Sequence, residues 1–148
     1  MKNHILVPID LAHEASFDLI FPAIGAIART RDAVLHLLTV VPNELAAWPY
    51  VPRNFIDDSR KQAAEQLGEI ARIDMPEEIE WHSEAVVGPV APTIVRRAVE
   101  HGAGLIVIAS HDPKASDILL GGVADRVLRR APCSVLVLRA AGGWAWTG

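Results

Sequence analysis

The residues best suited to chemistry lie between Ala109 and Ala124, with one isolated acid, Asp10. The stretch opens with Ala109-Ser110-His111-Asp112-Pro113 and reaches Gly121-Gly122 at the start of a predicted helix. Paired glycines remove side chains where a backbone must approach a ligand. The helix behind them offers unpaired N–H groups and the positive end of its dipole, which together suit a phosphate. Ser110 and the backbone of the 109–112 turn add further donors. A glycine pair at a helix start also makes a plain tight turn, and local sequence leaves both readings open. Asp10 closes the first predicted strand, where a carboxylate could accept ribose hydroxyls or hold the water of a bound Mg²⁺. It could equally cap the first helix, and the two roles are compatible.

Other chemistries find less support. The histidines His4, His13, His36, His82, His101 and His111 show neither an i,i+4 pair nor the carboxylate spacing of a metal site, so no metal held by protein alone is expected. His36 lies mid-strand and reads as a satisfied core histidine, whereas His111 sits in the candidate binding loop. Ser16 and Ser59 lack a nucleophile-elbow motif, and no catalytic residue is assigned. The absence of Gly-x-Gly-x-x-Gly after the first strand, and of Gly-Lys-Ser/Thr, argues against dinucleotide oxidoreductases and P-loop NTPases. Cys133 is the only cysteine, which excludes an internal disulfide and a cysteine-based zinc site, and its setting reads as a buried structural thiol.

The elements that must position these residues alternate in period. Strand-length apolar runs are predicted at His4–Ile9, Ala33–Val41, Glu80–Val87, Gly104–Ala109 and Ser134–Leu138. Helical spacing is predicted over Glu14–Thr30, Asp57–Ile73, Val90–His101 and about Leu120 to Arg130. Pro22 should kink the first helix or shift its start. Five strands separated by four helices predict a single doubly wound α/β sheet, parallel, with helices on both faces and strand order 3-2-1-4-5. Ligands then bind beyond the carboxyl ends of strands 1 and 4, at the switch point. The last strand is apolar on both faces yet falls at an edge, so a second copy of the chain is expected to cover it. The tail 140–148, with Trp144 and Trp146, is expected to pack on that partner.

Composition agrees with one domain over 1–139. The chain has 148 residues, 51% of them hydrophobic, enough to bury a substantial core. A formal charge of −4 with only three lysines gives no electrostatic reason to expect nucleic acid or an anionic membrane as partner. The first apolar run is too short for a signal peptide or a membrane span, so a cytoplasmic setting is expected.

Ile5-Leu-Val-Pro-Ile-Asp10, Leu37-Leu-Thr-Val-Val-Pro42, Gly88 with Ile94, and Leu119-Leu-Gly121 followed by Ala131-Pro-Cys-Ser-Val-Leu-Val-Leu-Arg139 resemble the universal stress protein family over nearly the whole chain. The resemblance implies an adenine nucleotide alpha hydrolase-like fold, a homodimer through Ser134–Leu138, and bound ATP or AMP, with Mg²⁺ near Asp10 in the ATP case. It places adenine against the backbone at Pro8, Ile9 and Val40. Ribose falls near Asp10 and Gly88, and phosphates near Ala109, Ser110, His111 and Gly121, Gly122, Val123, Ala124. The family's common motif is Gly-x2-Gly-x9-Gly-Ser/Thr. Here Ala109 and Asp112 replace its first two glycines, Gly122 replaces the hydroxyl residue, and the loop is one residue shorter, as in a subgroup with an Ala-Ser-His-x-Pro loop. Asp112 brings negative charge toward the phosphates, which Lys114 could offset. Two alternatives stand beside the nucleotide module: a structural dimer that has lost its ligand, and a slow nucleotidyl- or phosphotransferase using Lys114 or His111.

Overall fold

The computed structural model describes residues 2–44, 48–52, 54–110, 121–139 and 144–146. Its strands are β1 (Asn3–Pro8), β2 (Ala33–Val41), β3 (Trp81–Val87), β4 (Leu105–Ala109) and β5 (Ser134–Leu138). Its helices are α1 (Phe17–Arg31), α2 (Phe55–Asp74), α3 (Val90–His101) and α4 (Gly122–Arg130). All four strand pairings are parallel, and the order is β3-β2-β1-β4-β5, as expected from the alternation of periods.

Successive strand residues face opposite sides of a sheet, so apolar runs without polar alternation must be covered twice. Ile5, Val7, Leu35, Leu37 and Val107 point to one side, against Ile20, Phe21 and Ile24 of α1 and Leu67 and Ala71 of α2. Leu6, Leu38, Ile106 and Ile108 point to the other, against Ala91, Ile94 and Ala98 of α3 and Ala124 and Val127 of α4. Burying a side chain such as Leu6 or Leu35 stabilises the fold by roughly 1.5–3 kcal/mol each before entropy is counted.

Boundaries moved where local backbone chemistry intervened. The first helix was expected from Glu14, but Glu14–Ser16 forms a 3-10 turn and α1 starts at Phe17, running on through Pro22. Thus Pro22 goes with a shifted start, and the ring sits in the second turn with no N–H to give Asp18. Helix α2 begins two residues before the expected Asp57, and α4 begins at Gly122 because Gly121 is extended. Helix α3 ends as expected, with Gly102 left-handed at φ +64° and its N–H bonded back to Ala98 and Val99. Strand β5 does lie at an edge, paired only with β4. Of the tail, residues 144–146 are described, and there Trp146 packs against this chain's own first core cluster, edge-on to an exposed Trp144. Among the described residues no helix is long and apolar enough to cross a membrane.

Candidate functional site

The carboxyl ends of β1 and β4 form a crest flanked by β2 and β3 on one side and by the start of α4 on the other. Ladder register sets the rows. Leu6 pairs with Ile106, which brings Ala109 level with Ile9, and Pro8 pairs with Leu38. The Ile9 N–H then donates to the Leu38 carbonyl at 2.8 Å, so the chain leaves β1 still tied to β2. Pro8 and Ile9 are buried, Val40 is half-buried, and Asp10 emerges exposed.

Asp10 organises the exit from the strand. Its Oδ1 accepts the Ala12 N–H at 3.0 Å, and its carbonyl accepts the His13 N–H at 3.0 Å. The expected cap of the first helix is not made, since among the described residues neither the 3-10 turn nor α1 has a side-chain cap; Asp10 closes the turn at 10–13 instead. The exposed carboxylate has acceptor capacity beyond that one bond.

Gly88 follows β3, buried, with its N–H on the Val41 carbonyl at 3.0 Å. A Cβ at this position would lie 2.6 Å from Thr93 Oγ1, so the hydroxyl fills the space a side chain would need. Thr93 is itself 1% exposed, and its Oγ1 has no hydrogen-bond partner. Glycine is required here by packing, since its φ is not in the left-handed region.

At the end of β4, the Ser110 N–H donates to the Leu138 carbonyl at 2.9 Å. Ser110 Oγ in turn accepts the Gly121 N–H at 3.0 Å, pinning the start of α4 to the end of β4. Gly121 thus reaches a ligand only by giving up that bond, while the Ser110 O–H stays able to donate. The first intrahelical bond of α4 is Asp125 N–H to the Gly121 carbonyl at 2.9 Å. The N–H groups of Gly122, Val123 and Ala124 precede it and have no carbonyl of the helix to use. Among the described residues no side chain caps this end. Gly122 is exposed, and a Cβ added there would meet none of the described residues within 4 Å. The carboxylate of Asp125 points away, holding Arg129 Nε at 3.1 Å.

The fold thus brings Pro8, Ile9, Asp10, Val40, Gly88, Ala109, Ser110, Gly121, Gly122, Val123 and Ala124 to one end of the sheet. His111, Asp112 and Lys114 lie outside the described residues. Two shallow hollows occur elsewhere: one of about 290 Å³ beside Phe17, Phe21 and Pro76, and one of about 250 Å³ beside Lys2, Asp32 and Glu80. Neither is lined by residues of the crest. Among the described residues no three His, Cys, Asp or Glu side chains converge to hold a metal. Cys133 is half-buried, and burial pushes its thiol up, away from a reactive thiolate.

One grouping escaped the sequence. His4, His36, His82 and His101, set aside for want of local spacing, are assembled at the opposite end of the sheet.

The Universal stress protein family model matches residues 1–139. Universal stress protein G of Shigella flexneri is 32% identical over 146 residues, covering 94% of this chain and all of that protein. Among solved structures, the hypothetical protein MJ0577 superposes with a TM-score of 0.77 at 22% identity, over 97% of this chain and 99% of the other. A universal stress protein in complex with cAMP gives 0.65 at 21% identity, over 93% and 97%. The universal stress protein from Archaeoglobus fulgidus in complex with dAMP gives 0.64 at 20%, over 92% and 97%.

Proposed function

This chain belongs to the universal stress protein family, and on that footing we propose that it binds an adenine nucleotide, ATP or AMP, at the crest formed by β1, β4 and α4. The observation that carries the reading is the start of α4. Beside the Ser110 hydroxyl, three successive N–H groups, Gly122 to Ala124, have no carbonyl of the helix to use, and among the described residues no side chain caps them. One phosphate fits this set. Asp10, exposed at the end of β1, is positioned to accept from ribose hydroxyls, as an acidic residue does at other doubly wound switch points. The buried backbone of Pro8 and Ile9, with Val40 beside it, offers an apolar wall for a base. Relatives solved with cAMP and dAMP, both adenine nucleotides, support the same ligand class.

The chain's own residues bind and orient; none described is placed as a general base for phosphoryl transfer, so hydrolysis is at most slow. The active form is a cytoplasmic homodimer joined along β5, in the domain 1–139 with a short tail. Support for the dimer comes from the edge position of β5, whose Val135, Leu136 and Val137 are only half-buried.

Titration calorimetry of nucleotide-stripped protein with Mg·ATP, AMP and GTP tests the binding. Micromolar affinity for the adenine nucleotides, with GTP at least tenfold weaker, is expected. No heat up to millimolar ATP would favour a structural dimer instead, in keeping with Asp112 and the missing hydroxyl at Gly122. Light scattering should give twice the 16.0 kDa chain mass.

A further inference from the structure

At the amino end of the same sheet, ladder register aligns Leu6 with His36 and His36 with His82, on the side that α3 covers. His101, the last residue of α3, lies on this row. The ring of His36 stacks on His101 with centroids 4.1 Å apart at 23°, and on His82 at 5.8 Å and 25°. Its Nε2 is 2.9 Å from Nδ1 of His4. His36 is thus bordered by three imidazoles.

The charges around the cluster are already engaged. From β3, Glu84 accepts Arg97 Nε at 2.8 Å and Nη2 at 2.7 Å, and lies 3.0 Å from His101 Nε2. From α3, Arg97 also pairs with Glu100, which Arg96 approaches at 3.6 Å. Ahead of β3, Glu80 holds Lys2 Nζ at 3.0 Å and lies 3.4 Å from His82 Nε2, with Asp32 acting on Lys2 from farther off. Among the described residues no carboxylate is hydrogen-bonded to His36.

The His4–His36 contact restricts protons. One proton between the two nitrogens makes a hydrogen bond, and His4 can take a second charge-bearing proton on its far nitrogen without breaking it. A proton added to His36 as well would set two N–H donors against each other at 2.9 Å. Burial, followed by the neighbouring His101, His4 and His82, lowers the His36 pKa from 6.5 to about 4, with Glu84 pulling weakly the other way.

We propose that His36 and the three imidazoles around it form an acid-operated latch, which fastens the carboxyl end of α3 to β1, β2 and β3 while neutral and lets it go on protonation. The inference goes beyond nucleotide binding and does not depend on it. The sign follows from linkage. With the latch closed His36 binds protons poorly, and with it open the residue returns to its ordinary value. Closure is therefore fully favoured above about pH 6.5 and is lost as pH falls toward 4. For pKa values of about 4 closed and 6.5 open, the opening equilibrium rises roughly thirtyfold between pH 7.5 and pH 5.

Amide hydrogen exchange of the nucleotide-free protein, corrected for the intrinsic pH dependence, reads this opening directly. Protection of Ala98–His101 should drop by about that factor between pH 7.5 and 5, while Leu67–Ala71 in α2 keeps theirs. His36→Gln should make the Ala98–His101 protection nearly independent of pH. Should that variant fail to fold, ring-proton titration of the wild-type histidines decides alone. One imidazole titrating near 4 supports the latch. All four titrating near 6.5, or equal loss of protection in α2 and α3, would overturn it.

Discussion

The two ends of the sheet use the same strands for opposite chemistry. At the carboxyl end, glycines take the place of side chains at 88, 121 and 122, and among the described residues the polar groups are backbone N–H groups, the Ser110 hydroxyl and the Asp10 carboxylate. At the amino end, side chains crowd in: four imidazoles, two glutamates and Arg97 make contacts of 2.7–3.4 Å across β1, β2, β3 and α3. Fixed dipoles at a helix start do not titrate, so the anion binding proposed at the first end would hold over a wide pH range. Imidazoles do titrate, so the second end responds to acid. A parallel sheet makes this division natural, because every strand starts at one rim and finishes at the other.

Substitutions can break the comparison at either end, and their effects differ in kind. The largest is expected at Asp10. Asp10→Ala removes the charged acceptor for ribose and should weaken Mg·ATP by roughly 10- to 100-fold, about 1.5–3 kcal/mol, by calorimetry. Asp10→Asn keeps an oxygen for the Ala12 N–H, so equal weakening in both variants would place the loss on charge rather than on the turn. Gly88→Ala comes next. Its Cβ would press on the Thr93 hydroxyl, costing about 1–3 kcal/mol in urea unfolding, and a cost near zero would show that the hydroxyl rotates away freely. At the other rim, Gly102→Ala forces a Cβ into the left-handed region. It should cost roughly 1–2 kcal/mol of stability while leaving nucleotide affinity unchanged. The smallest effect sharpens rather than breaks. Gly122→Ser has open space for its side chain, and a new hydroxyl bond should tighten binding by about 0.5–1.5 kcal/mol, or 2- to 10-fold.

What could be read from the chain follows how local each signal is. Strands β2 and β5 and helix α3 fall on their expected bounds because apolar runs, Gly102 and the prolines punctuate them within a few residues. Strand order followed from handed crossovers rather than from any single residue. Asp10 and the Gly121-Gly122 start of α4 were legible as a candidate site because each is a local motif. The bond from Ser110 Oγ to the Gly121 N–H was not, since its partners are eleven residues apart. The histidine cluster was least legible. His4, His36, His82 and His101 have no mutual spacing in sequence, and only the registers Leu6–His36 and His36–His82 bring them into one row. The packing of Trp146 on the chain's own first core cluster was likewise not legible, since the core residues it meets are distant in sequence.

The most direct test of nucleotide binding at the crest is an amide-resolved exchange or chemical-shift measurement at pH 7.5, with and without saturating AMP. Gly122, Val123 and Ala124 should shift and gain protection together, with Ala98–His101 unchanged. Perturbation confined to residues away from the start of α4, or none at millimolar AMP, would contradict a phosphate seated on that helix.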